Sequence, residues 1–96
     1  MKELVSGDKE VIELCRALSK GDFPAAFKVI SSLPEGINPE GARLQVFAYF
    51  TKVALGAKSP KGARSALAVL EAFQDPYPDT SIGHLVLSTG TALLGD

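Results

Sequence analysis

The sequence predicts an all-α protein, a bundle of five short helices. Three observations carry this. Apolar residues recur with helical spacing in five successive stretches. The joints between stretches carry helix-start chemistry: Asp22 shortly before Pro24, Asn38-Pro39 and Ser59-Pro60. No run alternates apolar and polar residues over several positions, as a half-buried strand would. The expected helices lie near 8–19, 23–33, 39–57, 60–74 and 80–94, with 1–7 as a leader or linker and 8–96 as one helical domain.

The first helix starts at Gly7-Asp8 with Asp8 as its cap. Val11, Cys15 and Leu18 line one face, widened by Ile12 and Leu14, while Glu10, Glu13, Arg16 and Lys20 face water. Gly21 suits the left-handed position that ends a helix. Asp22 opens the second helix at once, and Pro24 sits in the first turn, where a missing N–H costs nothing. Its expected buried stripe is Phe23, Ala26, Phe27, Ile30 and Leu33. So short a joint makes these two helices neighbours.

After the loop from Leu33 to Ile37, Asn38-Pro39 gives the strongest start signal in the chain. On the third helix, Leu44, Phe47, Phe50 and Ala54 form the expected core side, Val46 and Val53 widen it, and Gln45, Tyr49 and Lys52 mark the outer face. Ser59-Pro60 repeats the device for the fourth helix. There Ala63, Ala66, Leu67, Leu70 and Phe73 line the inside, with Arg64, Ser65 and Glu71 outward. Asp75-Pro76-Tyr77-Pro78 is not helical, because two prolines remove donors and restrict their predecessors.

The last helix, with Asp79 as its expected cap, is unusual. From Thr80 to Gly95 there is no Asp, Glu, Lys or Arg, although charged residues are 22% of the chain. Ile82, Leu85, Val86, Thr89 and Leu93 form one stripe. Gly83, Leu87, Gly90 and Leu94 form a second, and His84, Ser88 and Thr91 a neutral third. A helix without a strongly solvated face is buried on more than one side. The glycines of the second stripe fit either close approach of a helix within the chain or a helix from another subunit. Burying all three stripes inside 96 residues is difficult, so the second stripe is the expected subunit interface, with His84 near its edge.

Bulk properties set limits. Ninety-six residues with 46% hydrophobic content support a single core. A formal net charge of −1 gives no global attraction to nucleic acid or anionic membrane. One cysteine, Cys15, excludes an internal disulfide and a cysteine-based zinc site. The N-terminus has no apolar segment of the kind a signal peptide needs, and the last helix is too short to span a bilayer, so the expected setting is cytoplasmic.

Residues that would carry catalysis are scarce. His84 is the only histidine, and on a neutral helical face it reads as a hydrogen-bonded packing residue. No His, Cys, Asp and Glu cluster has metal-ligand spacing, and no cofactor is expected. The segment from Gly56 to Ser65 lacks the order of a phosphate loop and no strand precedes it. Lys58, Lys61 and Arg64 do gather at a helix start. They read as a solvated basic turn, a dock for an acidic neighbour surface, or a phosphate contact; no DNA binding is expected from the isolated domain.

The segment from Val11 to Phe23, with its Lys20-Gly21-Asp22-Phe23 turn, resembles the C-terminal collar domain of sliding-clamp loader ATPase subunits of the replication factor C small-subunit type. The resemblance covers about residues 8–95. It rests on that turn, on the long third helix after Ile37-Asn38-Pro39-Glu40, and on the neutral apolar last helix. It implies a non-catalytic domain, five of which form a ring that holds ATPase modules together while they open a clamp around DNA. The partners it implies are the other loader subunits, in a homo- or hetero-oligomer. These residues hold no Walker A, no Walker B strand and no arginine finger, so ATP hydrolysis is not assigned to them. The alternative is a stand-alone helical adaptor that binds a partner helix or peptide in a groove.

Overall fold

The structure, a computed structural model, describes residues 8–95. The leader or linker expected at 1–7 lies outside them. The described residues form five α-helices and no strand: α1 Asp8–Lys20, α2 Phe23–Ser31, α3 Pro39–Gly56, α4 Pro60–Ala72 and α5 Gly83–Leu94.

Local chemistry explains most boundaries. α1 already includes Asp8, so that residue belongs to the helix and is not the cap expected of it. α1 ends with Gly21 at φ +70, a left-handed conformation that suits a residue without Cβ. The Gly21 N–H donates to the Leu18 carbonyl and the Asp22 N–H to the Ala17 carbonyl, both at 3.1 Å, so the last carbonyls of α1 keep partners. Asp22 then caps α2 by accepting the Ala25 N–H at 3.1 Å. Asn38 caps α3 through the Glu40 N–H at 3.1 Å, and Ser59 caps α4 through the Gly62 N–H at 3.1 Å.

α1 packs against the four other helices and supplies Val11, Leu14, Cys15, Ala17 and Leu18 to the core. Ala26 and Ile30 enter from α2; Ala42, Val46 and Phe50 from α3; Ala66 and Val69 from α4; and Leu85 from α5, with Phe73 between α4 and the loop after it. Full burial of a Phe73- or Leu85-sized side chain contributes roughly 1.5–3 kcal/mol. Burial also pushes the Cys15 thiol up to about 12, because a thiolate there would lose its water.

Several stripes turn out rotated from their expected phase. On α1 the face centres on Leu14 and Cys15, leaving Ile12 exposed. On α2 Phe23 is exposed and rests edge-on against half-buried Phe27, ring centroids 6.0 Å apart. On α3 the buried face is Pro39, Ala42, Arg43, Val46 and Phe50, so Leu44 and Val53 face solvent and Tyr49 is half-buried against Phe50. On α4 Val69 takes the inside place expected for Leu67. α3 carries apolar side chains all round, so its periodicity leaves the inward direction to its neighbours.

α5 starts three residues later than expected. Asp79 does not cap it; its Oδ1 accepts the Ser81 N–H at 2.9 Å, and Ser81 Oγ accepts the Gly83 N–H at 3.2 Å. Such side-chain turns compete with the helix for the same backbone donors.

Candidate functional site

Two surfaces contain most of the residues the sequence singles out: the outer side of α5, with Leu87 and Leu94, and the furrow between the end of α1 and the start of α4, with Lys61 and Arg64. A polar clamp fixes where α5 lies.

The clamp is built on Arg43, only 5% exposed although charged. Its Nε donates to Glu40 Oε1 at 2.7 Å and its Nη2 to Glu40 Oε2, a two-pronged pairing between residues one turn apart on α3. Nη1 donates to the Phe73 carbonyl at 2.8 Å and the Gln74 carbonyl at 3.3 Å. Arg43 thus closes the C-terminal end of α4, where helix carbonyls lack intrahelical donors. Glu40 Oε1 also accepts the Tyr77 N–H at 2.9 Å. These hydrogen bonds, led by the Arg43 guanidinium, hold the Glu40 carboxyl down to about 2, and the Glu40 carboxylate in turn raises the Arg43 pKa.

Tyr77 carries the clamp across to α5. Its ring lies under the Arg43 guanidinium, 5.9 Å from carbon to centroid. Its hydroxyl meets Ser88 Oγ at 2.9 Å, and burial raises its pKa. His84 stacks on the same ring, centroids 5.2 Å apart with 24° between planes, and its Nε2 meets Asp79 Oδ1 at 2.8 Å. The Ser81 N–H, and then His84, draw the Asp79 carboxyl below its ordinary range. The neutral stripe of His84 and Ser88 is therefore anchored inside the chain by a tyrosine from a proline-rich loop. The sequence signals for this were a Glu40–Arg43 pair at i, i+3 and an aromatic between two prolines.

α5 is consequently covered on one side only. Leu85, Ser88 and Thr89 are buried, with Ala92 and Leu93 half-buried. The second stripe is divided. Gly83, Leu87 and Leu94 are exposed, Leu87 at 69% and Leu94 at 59%, with exposed Ile82 and Val86 beside them. Gly90 is half-buried over α2. A Cβ placed on it would sit 3.7 Å from Phe27 Cζ, an ordinary contact, so packing within the chain does not require glycine there. The outer side of α5 is thus a strip of leucine, valine and glycine with no charged residue.

The basic residues are also divided. Lys61 and Arg64 line a furrow of about 490 Å³ together with Lys20, over a floor that includes Leu18, Val69 and Leu93. Lys58 does not line it. Lys20 reaches this place because the Gly21 turn ends α1 beside α4; its separation in sequence from Lys61 hides the grouping.

Among the described residues, no three His, Cys, Asp or Glu side chains are grouped to hold a metal ion, and no helix is long and apolar enough to cross a membrane. No family model, curated protein or solved structure matches the chain.

Proposed function

We propose that this chain is a non-catalytic oligomerisation domain of the clamp-loader collar type, which holds ATPase subunits in a ring through the outer side of α5. The observation that carries the reading is the exposure of Leu87 and Leu94 on a helix with no charge from Thr80 to Gly95. Apolar surface left in water by a chain with a formed core commonly marks a contact with another protein. The clamp supports the same reading, since Arg43 and Tyr77 orient α5 without using its outer side. The Lys20-Gly21-Asp22-Phe23 turn and the long third helix are the features shared with collar domains. A cytoplasmic setting goes with that role.

The test replaces Leu87 and Leu94 with glutamate, both exposed. Circular dichroism should show an unchanged helical fold. Sedimentation of the 96-residue chain, and of any longer product carrying an ATPase module in the same reading frame, should show association lost in the variant. A variant that unfolds, or that associates as well as the parent, refutes the interface. An upstream ATPase module in frame favours the collar, and an isolated short gene favours the adaptor.

The adaptor reading has its own observation. Ile12, Ala48, Tyr49 and Val53 line a largely apolar groove of about 620 Å³ between α1 and α3, a size suited to side chains of a bound helix.

A further inference from the structure

The furrow between α1 and α4 has a chemistry of its own. Lys20 approaches it from the end of α1, and Lys61 and Arg64 from the first turns of α4. No aspartate or glutamate lines it. Among the described residues the ion pairs are Arg43 with Glu40 and His84 with Asp79, so these three cations meet no carboxylate among the described residues. The floor is apolar, through Leu18, Val69 and Leu93, and the hydroxyls of Ser19 and Ser65 stand at the sides. A second cavity of about 390 Å³, toward Phe50 and Val53, shares Leu18, Lys61 and Ser65 with the furrow.

We infer that this furrow docks an acidic segment of a partner protein, with an aliphatic side chain on the Leu18–Val69 floor and flanking carboxylates on Lys20, Lys61 and Arg64. Charge complementarity selects the carboxylates. The floor selects a peptide over a nucleic acid, because the stretch that holds the three cations has no aromatic ring on which a base could stack. A formal net charge of −1 gives the whole chain no broad positive field, so the attraction acts only at the furrow. The furrow takes Ala92 and Leu93 from α5 but not the exposed Leu87 and Leu94 of its outer side, and the inference does not depend on the collar reading.

Fluorescence anisotropy with a fluorescein-labelled peptide, one central leucine flanked by aspartates, tests this on the full chain. The background is the Leu87→Glu, Leu94→Glu variant if the parent self-associates, so that failure of the α5 interface leaves the outcome readable. The expected result is saturable binding that weakens with salt, falls about tenfold or more in Lys61→Glu, Arg64→Glu, and falls again with Lys20→Glu. Lys58→Glu, outside the furrow, should leave it unchanged. All four side chains are exposed, and helical circular dichroism of each variant verifies that the fold survives. Absence of peptide binding, binding indifferent to the furrow reversals, or equal loss with Lys58→Glu overturns the inference. So does tighter binding of single-stranded oligothymidine that the same reversals abolish, which would make the furrow a phosphate site.

Discussion

Glu40 accepts the backbone N–H of Tyr77 at 2.9 Å across 37 residues of chain, on the same oxygen that accepts from Arg43. One carboxylate at the start of α3 therefore pins the loop between α4 and α5. The orientation of α5, and of the surface it presents, depends on a bond far from that surface.

This predicts acid lability with a defined window. The Glu40 carboxyl is held near 2 in the folded chain against an ordinary 4.5. Between these values the unfolded chain binds a proton that the folded chain does not. The stabilisation is therefore complete above about pH 4.5 and is lost as pH falls toward 2. Asp79, also drawn down, loses stabilisation on acidification in the same sense. Urea midpoints measured against pH should show Glu40→Gln less stable at pH 7 and less sensitive in the acid window. Parallel curves for the two proteins would contradict the assignment.

Arg43→Met keeps the apolar stem in place but removes the donors to the Phe73 and Gln74 carbonyls. Orphaned buried acceptors cost about 1–3 kcal/mol, so chemical denaturation should shift by that order. The near-ultraviolet signal of Tyr77 should change as well, because the cation over its ring is gone. A variant as stable as the parent would show that water replaces the guanidinium at no cost.

Thr89 is fully buried, and its Oγ1 has no hydrogen-bond partner among the described residues. A hydroxyl taken out of water without a bond is a standing cost. Thr89→Val keeps the shape and removes the hydroxyl, so thermal unfolding should rise, by about 1–2 kcal/mol of stability. A drop instead would mean that the hydroxyl does have a bond in solution.

Gly90→Ala separates the roles of the glycine stripe. Its new methyl would meet Phe27 at an ordinary distance, and alanine in a helix interior gains about 0.5–1 kcal/mol over glycine. The variant should therefore unfold at a higher temperature. If a partner helix lies close against α5, the same methyl should weaken association in sedimentation. Destabilisation would show that the intrachain gap is tighter than 3.7 Å implies.

The sequence by itself determined the number and order of the helices and most of their starts. Asn38, Ser59 and Asp22 bond to backbone donors two or three residues away, and Gly21 takes its conformation from having no Cβ. These effects are complete within one turn of chain, so they can be read without the fold. Only the tertiary structure decided which side of each helix faces inward. In α3, which carries apolar residues on every side among its polar ones, burial of Arg43 in place of Leu44 followed from the carbonyls that the end of α4 presents to it. The start of α5 was decided the same way. Asp79 is engaged by Ser81 and by His84 stacked on Tyr77, and it is not free to cap. Lys61 and Arg64 could be grouped from their spacing, but the furrow was hidden because Lys20 stands some forty residues before them in sequence. Such outcomes depend on the partner that distant parts of the chain bring into reach, and spacing along one helix holds no record of that partner.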